Sequence, residues 1–172
     1  AGVKELNYNS AFRWTVSEGR NKYRRGIYTY FKRTAPHPNL MTFDCPDSNV
    51  TCVQRTRSNT PLAALITLNN ATFTEAARSL ASRVLKADDL RDDRGRITRA
   101  FQLCLSRAPH DTELGKLLQL LRTSRSWYAS HPKEAGQMVP GEIPAGITKV
   151  ECASYAATVR VILNLDEFLT RN

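Results

Sequence analysis

The chain changes character near Thr60-Pro61, and that change restricts what it can fold into more than any other feature. Residues 1–60 are irregular and rich in Asn, Pro, Arg and aromatics, whereas later residues place apolar side chains at helical spacing. A period near 3.6 residues calls for helices that each bury one stripe against a neighbour. Thr60 suits an N-cap, and Pro61 suits the first helical position, where a missing N–H costs nothing. Leu62, Leu65 and Ile66 then form an apolar face, and Asn69-Asn70 ends the helix. Thr72 and Glu75 fit a capping box for a second helix, with Phe73, Ala76, Ala77, Leu80 and Val84 on its inner side.

Further along, Ile97, Phe101, Cys104 and Leu105 define a third helix, closed at Ala108-Pro109 because a residue before proline avoids the helical region. Asp111 or Thr112 caps a fourth, with Leu114, Leu117, Leu118 and Leu121 inward. Residues 131–147, interrupted by Pro132, Pro140 and Pro144, read as a long surface loop, and residues 150–169 as the last helix. In the first 60 residues the alternation over 25–31, with Ile27, Thr29 and Phe31 against Tyr28, Tyr30 and Lys32, predicts a short strand. A short helical turn is expected over 39–43. The expected architecture is mainly α: a helical core of about five helices over 60–172, with a small extended or β N-terminal lobe over 1–59. Together they are expected to form one domain.

Charge follows the same division. The 172 residues carry 25 Lys+Arg and 16 Asp+Glu, a net charge of +9. Ten basic and four acidic residues lie in 1–60, and seven of the basic ones lie between Arg13 and Arg33, where Glu18 is the single acid. Such a surface attracts nucleic acid, anionic lipid or an acidic protein, or pairs with acids of neighbouring segments. No RNA-recognition pattern supports the first option. The stretch RGIYTYFK departs from that pattern at Tyr28 and Thr29. Farther on, Asp88, Asp89, Asp92 and Asp93, interrupted by Arg91 and Arg94, read as a solvated linker.

Chemistry-bearing motifs are sparse. Cys45, Cys52, Cys104 and Cys152 form no C-x-x-C pair, which excludes zinc-ribbon and thioredoxin motifs, and no C-x-x-C-H is present for covalent haem attachment. Cys45 and Cys52 flank a short segment and could close a disulfide loop. Cys104 and Cys152 could bridge two helices or pack as small apolar groups. His37, His110 and His131 lie in separate proline-adjacent loops, with no metal-ligand spacing. Asp44, Asp47, Arg55, Arg57 and Asn59 gather polar groups just before the first strong helix and form the candidate polar site. Asp44 and Asp47 lack the glycine and terminal glutamate of an EF-hand loop, so turn capping explains them best. No nucleophile elbow, P-loop or zincin helix occurs. The candidate sites therefore include no catalytic and no metal residue, and no apolar run reaches the roughly 18 residues of a membrane span. The N-terminal residues lack a signal-peptide pattern, so any such segment is expected to have been removed or to lie upstream.

Four ordered blocks carry a family likeness: RRGIYTYFKRTAPHPNLMTFDCPD, CVQRTRSNTPLAALITLNN, FQLCLSRAPHDTEL and VILNLDEFLTRN. In order and spacing they resemble the C-terminal domain of unknown function of large secreted proteins abundant in planctomycetes and related bacteria. The likeness covers about residues 10–172 and departs from the commoner wording at Cys45 and Ala63. It implies the C-terminal fragment of a longer secreted or periplasmic protein, with haem only in an upstream cytochrome-c-like module and none in this chain. The function expected first is a non-catalytic assembly or interaction domain, docking through its basic, aromatic lobe around Trp14, Tyr28 and Tyr30. Its partner would be the remainder of the parent polypeptide or another protein, with carbohydrate a further option and nucleic acid not expected. The alternatives are part of a periplasmic polysaccharide-degrading enzyme using the Asp44 and Asp47 region, or an accessory to an upstream haem electron-transfer module.

Overall fold

The computed structural model describes residues 15, 17–46, 49–54, 58–90 and 92–170. The fold is mainly α, with eight α-helices, two short 3-10 turns and no strand among the described residues. The chain divides into two compact units, Ala1–Ser58 and Asn59–Asn172.

In the first unit, 3-10 turns at Gly19–Tyr23 and Gly26–Tyr28 precede helix α1, Pro38–Thr42. The strand expected over 25–31 is replaced by the second of these turns. A strand needs a neighbour to complete its ladder, and the described residues supply none. The backbone N–H groups of Tyr28 and Thr29 instead donate locally, to Arg25 O at 2.9 Å and Gly26 O at 3.0 Å. Gly26 also lets this turn lie against α1, because a Cβ there would stand 2.9 Å from Leu40 Cδ2. At α1, Pro38 occupies the first turn and the His37 ring accepts from Asn39 N. Ala35 is the one buried apolar residue among those described in this unit.

The second unit is built around α7, Lys149–Ile162, which packs against α3, Ala71–Leu85, and α5, Asp111–Ser130. Helices α2, Pro61–Asn69, α4, Asp93–Leu105, α6, Pro132–Met138, and α8, Asp166–Leu169, complete it. The core gathers Ala77, Ala81 and Val84 of α3, Ile97 and Phe101 of α4, Leu114 and Leu121 of α5, and Tyr155, Val159 and Ile162 of α7. Helix α7 buries nearly its whole circumference, as a central helix must. Its serine and threonine hydroxyls at 154 and 158 are satisfied within the helix: Ser154 Oγ donates to Val150 O at 2.7 Å and Thr158 Oγ1 to Ser154 O at 2.9 Å. Alanines 77 and 81 of α3 and 153 and 156 of α7 leave room for close approach of the helices.

Helix ends depart from the sequence reading for local reasons. Thr60 does cap α2, accepting from Ala63 N at 3.1 Å. Its inner face, however, is Ala63 and Thr67, while Leu62 and Leu65 are exposed. Thr67 Oγ1 donates to Ala63 O at 2.6 Å, so burying that hydroxyl leaves no orphan. Asn70, not Thr72, caps α3, its side chain accepting from Thr72 N at 2.9 Å. Asp92 caps α4 by accepting from Gly95 N at 2.9 Å, which draws Asp93 out of the expected linker and into the helix. Glu113 accepts from His110 N at 2.7 Å, so the N-cap of α5 is His110, one residue before the expected Asp111. The expected loop over 131–147 contains α6, because Pro132 begins a helix rather than breaking one. The expected last helix ends at Ile162, and Asp166 and Glu167 open the separate turn α8, with acids at the favourable end of the helix dipole.

Candidate functional site

The polar residues singled out before the first strong helix do not assemble into one site. Asp44 sits at φ 55°, and its carboxylate accepts from Ser58 N at 2.7 Å and from Ser58 Oγ at 2.9 Å. It ties the two ends of a 14-residue span of the first unit. Asn59 belongs to the second unit, where its Nδ2 donates to Asp166 Oδ1 at 2.7 Å. Asp47, Arg55 and Arg57 lie outside the described residues, as does Trp14.

Residues 19–30 of the first unit present a different chemistry. Tyr23, Ile27, Tyr28 and Tyr30 are 59%, 82%, 61% and 66% exposed, far beyond what a folded core would leave. Cations lie over two of the rings: Lys22 Nζ at 4.8 Å from the Tyr23 centroid, and the Arg25 guanidinium at 5.5 Å from that of Tyr28. Arg25 Nη2 also donates to the Tyr28 hydroxyl at 3.3 Å, and Arg24 Nε to Asn21 Oδ1 at 2.8 Å. Among the described residues, no carboxylate pairs with Arg20, Arg24 or Arg25.

In the second unit Arg125, Arg107, Arg160 and Arg78 brace the fold, whereas Arg83, Arg99 and Arg122 are exposed. Arg125 of α5 forks onto Asp93 of α4 at 2.5 and 2.6 Å and onto Glu151 of α7 at 2.8 and 2.5 Å. The Tyr155 hydroxyl donates to Asp93 Oδ1 at 2.8 Å. The Arg125 bonds hold the Asp93 carboxyl below its ordinary range against the opposing effect of burial. Burial, together with donation to Asp93, pushes the Tyr155 phenol up. Arg107 makes a second fork, 2.9 Å to Glu113 and 2.7 Å to Glu167, with its guanidinium over the Phe101 ring. That fork brings the Glu113 carboxyl down to about 2.

Two further arginines satisfy helix-end carbonyls. Arg160 of α7 donates to Leu68 O in the last turn of α2, and Arg78 of α3 donates to Gln137 O in the last turn of α6 at 3.2 Å. The fork through Asp93, Arg125, Glu151 and Tyr155 escaped sequence reading because its partners lie 26, 32 and 62 positions apart. One signal was present: Glu151 and Tyr155 stand one helical turn apart, on the same face.

The remaining reactive groups are accounted for locally. All four cysteines are free thiols, with Cys52 exposed, Cys45 and Cys104 half-buried and Cys152 buried. Burial pushes the Cys104 thiol up to about 11 and raises Cys152 as well. His131 stacks on Trp127 at 4.4 Å, its Nδ1 2.7 Å from Trp127 O. Among the described residues, no three His, Cys, Asp or Glu side chains converge as a metal site would require, and no helix is long and apolar enough to cross a membrane. A recess of about 380 Å³ beside α3 is lined by Arg78, Ser79, Ser82, Glu142 and Cys152.

Fold and polar groups thus define an arginine-braced helical domain preceded by a small basic, aromatic unit. Residues 2–121 match the PSD1 family, described as protein of unknown function (DUF1553), and the chain belongs to that family. The match spans the first three of the four sequence blocks and ends within α5. No curated protein and no solved structure matches the chain.

Proposed function

We propose that this chain is a non-catalytic assembly domain of a secreted bacterial protein. In this reading it forms the C-terminal part of a larger polypeptide and docks through its first unit onto the remainder of that polypeptide or onto another protein. One observation carries the reading: Ile27, Tyr28 and Tyr30 are exposed beside arginines that no described carboxylate neutralises. Aromatics and arginine are the side chains most enriched where binding energy concentrates at protein interfaces. The second unit supplies a braced scaffold, since its Arg125, Arg107, Arg78 and Arg160 are taken up by carboxylates and helix ends. Asp44, one of the two carboxylates of the alternative enzymatic reading, is engaged by Ser58.

The test is calorimetric titration of this chain into the remainder of its parent polypeptide, produced separately. Replacing Ile27 and Tyr28 together by alanine is expected to weaken association by about tenfold or more. Association that survives the double replacement unchanged would remove the first unit from the interface.

A further inference from the structure

The basic, aromatic segment 19–30 also indicates what kind of surface it fits. We propose that its partner is an acidic protein surface, one that places Asp or Glu carboxylates around an apolar patch. This deepens the assembly reading above and rests on it.

Charge complementarity is the first argument. Arg20, Lys22, Arg24 and Arg25 fall within six positions, and Glu18 is the one acid in the described part of the run up to Arg33. All four are exposed. In the second unit of the same chain, arginines of the same kind meet carboxylates through paired N–H groups. Arg25 is positioned for that chemistry. Its guanidinium stands over the Tyr28 ring and donates from Nη2 to the Tyr28 hydroxyl, which orders it at little entropic cost while the residue stays exposed. A stacked, ordered guanidinium binds a planar carboxylate in a fork, and such charge-assisted pairs are stronger than neutral ones.

Apolar content separates an acidic protein from nucleic acid, another anion that a basic patch attracts. Ile27 is 82% exposed between two arginines and two tyrosines, and an aliphatic side chain gains nothing from a phosphodiester backbone. Single-stranded nucleic acid is bound by open aromatic faces on which bases stack. Here the Tyr23 and Tyr28 rings each already carry a cation over a face. Carboxylates meeting the arginines while leucine or valine meets Ile27 and the ring edges would use every exposed group in the segment.

The test uses the whole chain and three labelled probes read by fluorescence anisotropy. The first is a 20-residue peptide of alternating Glu-Glu-Leu character, the second an oligothymidylate of matched charge, and the third vesicles containing one-third phosphatidylglycerol. The peptide is expected to bind best. Arg24→Glu with Arg25→Glu should weaken it about tenfold, and Ile27→Ala about threefold. Raising salt from 50 to 300 mM should weaken binding but not abolish it, because the apolar part is unscreened.

Oligothymidylate or vesicles bound as tightly as the peptide, and lost in the same variants, would overturn the acidic-protein assignment while leaving the surface itself in place. No loss of any probe in either variant would overturn the assignment and the assembly reading together. Circular dichroism of each variant shows whether it remains folded. Should the double charge reversal unfold the chain, Arg24→Gln with Arg25→Gln provides the same comparison without like-charge repulsion.

Discussion

Arg125 and Arg107 of the second unit are used differently from Arg24 and Arg25 of the first. In the second, Arg125 and Arg107 each gather two carboxylates from separate elements, and Arg78 and Arg160 close the ends of other helices. In the first, Arg25 rests on an exposed tyrosine, and Arg24 reaches no farther than the Asn21 side chain three residues away. The same side chain thus works as internal bracing where the fold brings acids to it, and stays exposed at Arg24 and Arg25, as at Arg83, Arg99 and Arg122 of the second unit, where no described carboxylate pairs with it. Positive charge alone therefore says little about binding, and its local acidic complement says much more.

The comparison is tested most severely at the core on which the second unit depends. Phe101→Ala empties a fully buried site under the Arg107 guanidinium and is expected to cost about 4 kcal/mol, read as a lower urea midpoint. Arg125→Ala comes next. It leaves Asp93 and Glu151, each roughly two-thirds to three-quarters buried, without a counter-charge, at an expected cost of about 2 kcal/mol in the same measurement. Tyr155→Phe removes a single hydrogen bond to Asp93 and should cost about 1 kcal/mol.

Acid sharpens the same contrast. The folded-state carboxyls of Asp93 and Glu113 lie below their ordinary values, so they contribute stability that is fully present above about pH 4 to 5. That contribution falls as the pH drops through the folded values, toward about 2 for Glu113. Urea midpoints between pH 6 and pH 2.5 should decline, and Arg125→Ala should flatten the part that belongs to Asp93. The smallest expected effect concerns thiols. In the native chain Cys52 should react with a thiol reagent first at pH 8, and Cys104 far more slowly because burial keeps it protonated. The denatured, unreduced chain should titrate four thiols, and two fewer would reveal a bridge.

Much of the second unit was legible in the sequence because its helices obey a local rule. Ile97, Phe101, Leu114, Leu117 and Leu121 recur at helical spacing and are buried as that spacing requires, and Thr60-Pro61 begins α2 as its chemistry dictates. Other features were hidden because their cause is distant in sequence. Asp92 and Asp93 look like solvated linker residues until the fold brings Arg125 and Tyr155 to Asp93. Leu62 and Leu65 look like a core face until the small Ala63 and Thr67 turn inward instead. In the first unit, the alternation over 25–31 has the period of a strand but no described partner to pair with. Of the candidate polar site, Asp44 and Asn59 proved to serve separate local contacts, which adjacency before a helix could not distinguish from convergence.

The division between bracing and outward-facing cations is tested most directly by the urea midpoint of Arg24→Glu, Arg25→Glu beside that of the unaltered chain. These arginines meet no described carboxylate, so the midpoint is expected to remain within the shift of about 0.5 kcal/mol typical of surface substitutions. A fall as large as that expected for Arg125→Ala would contradict the account, because it would make the first unit's cations part of the fold rather than of its contacts.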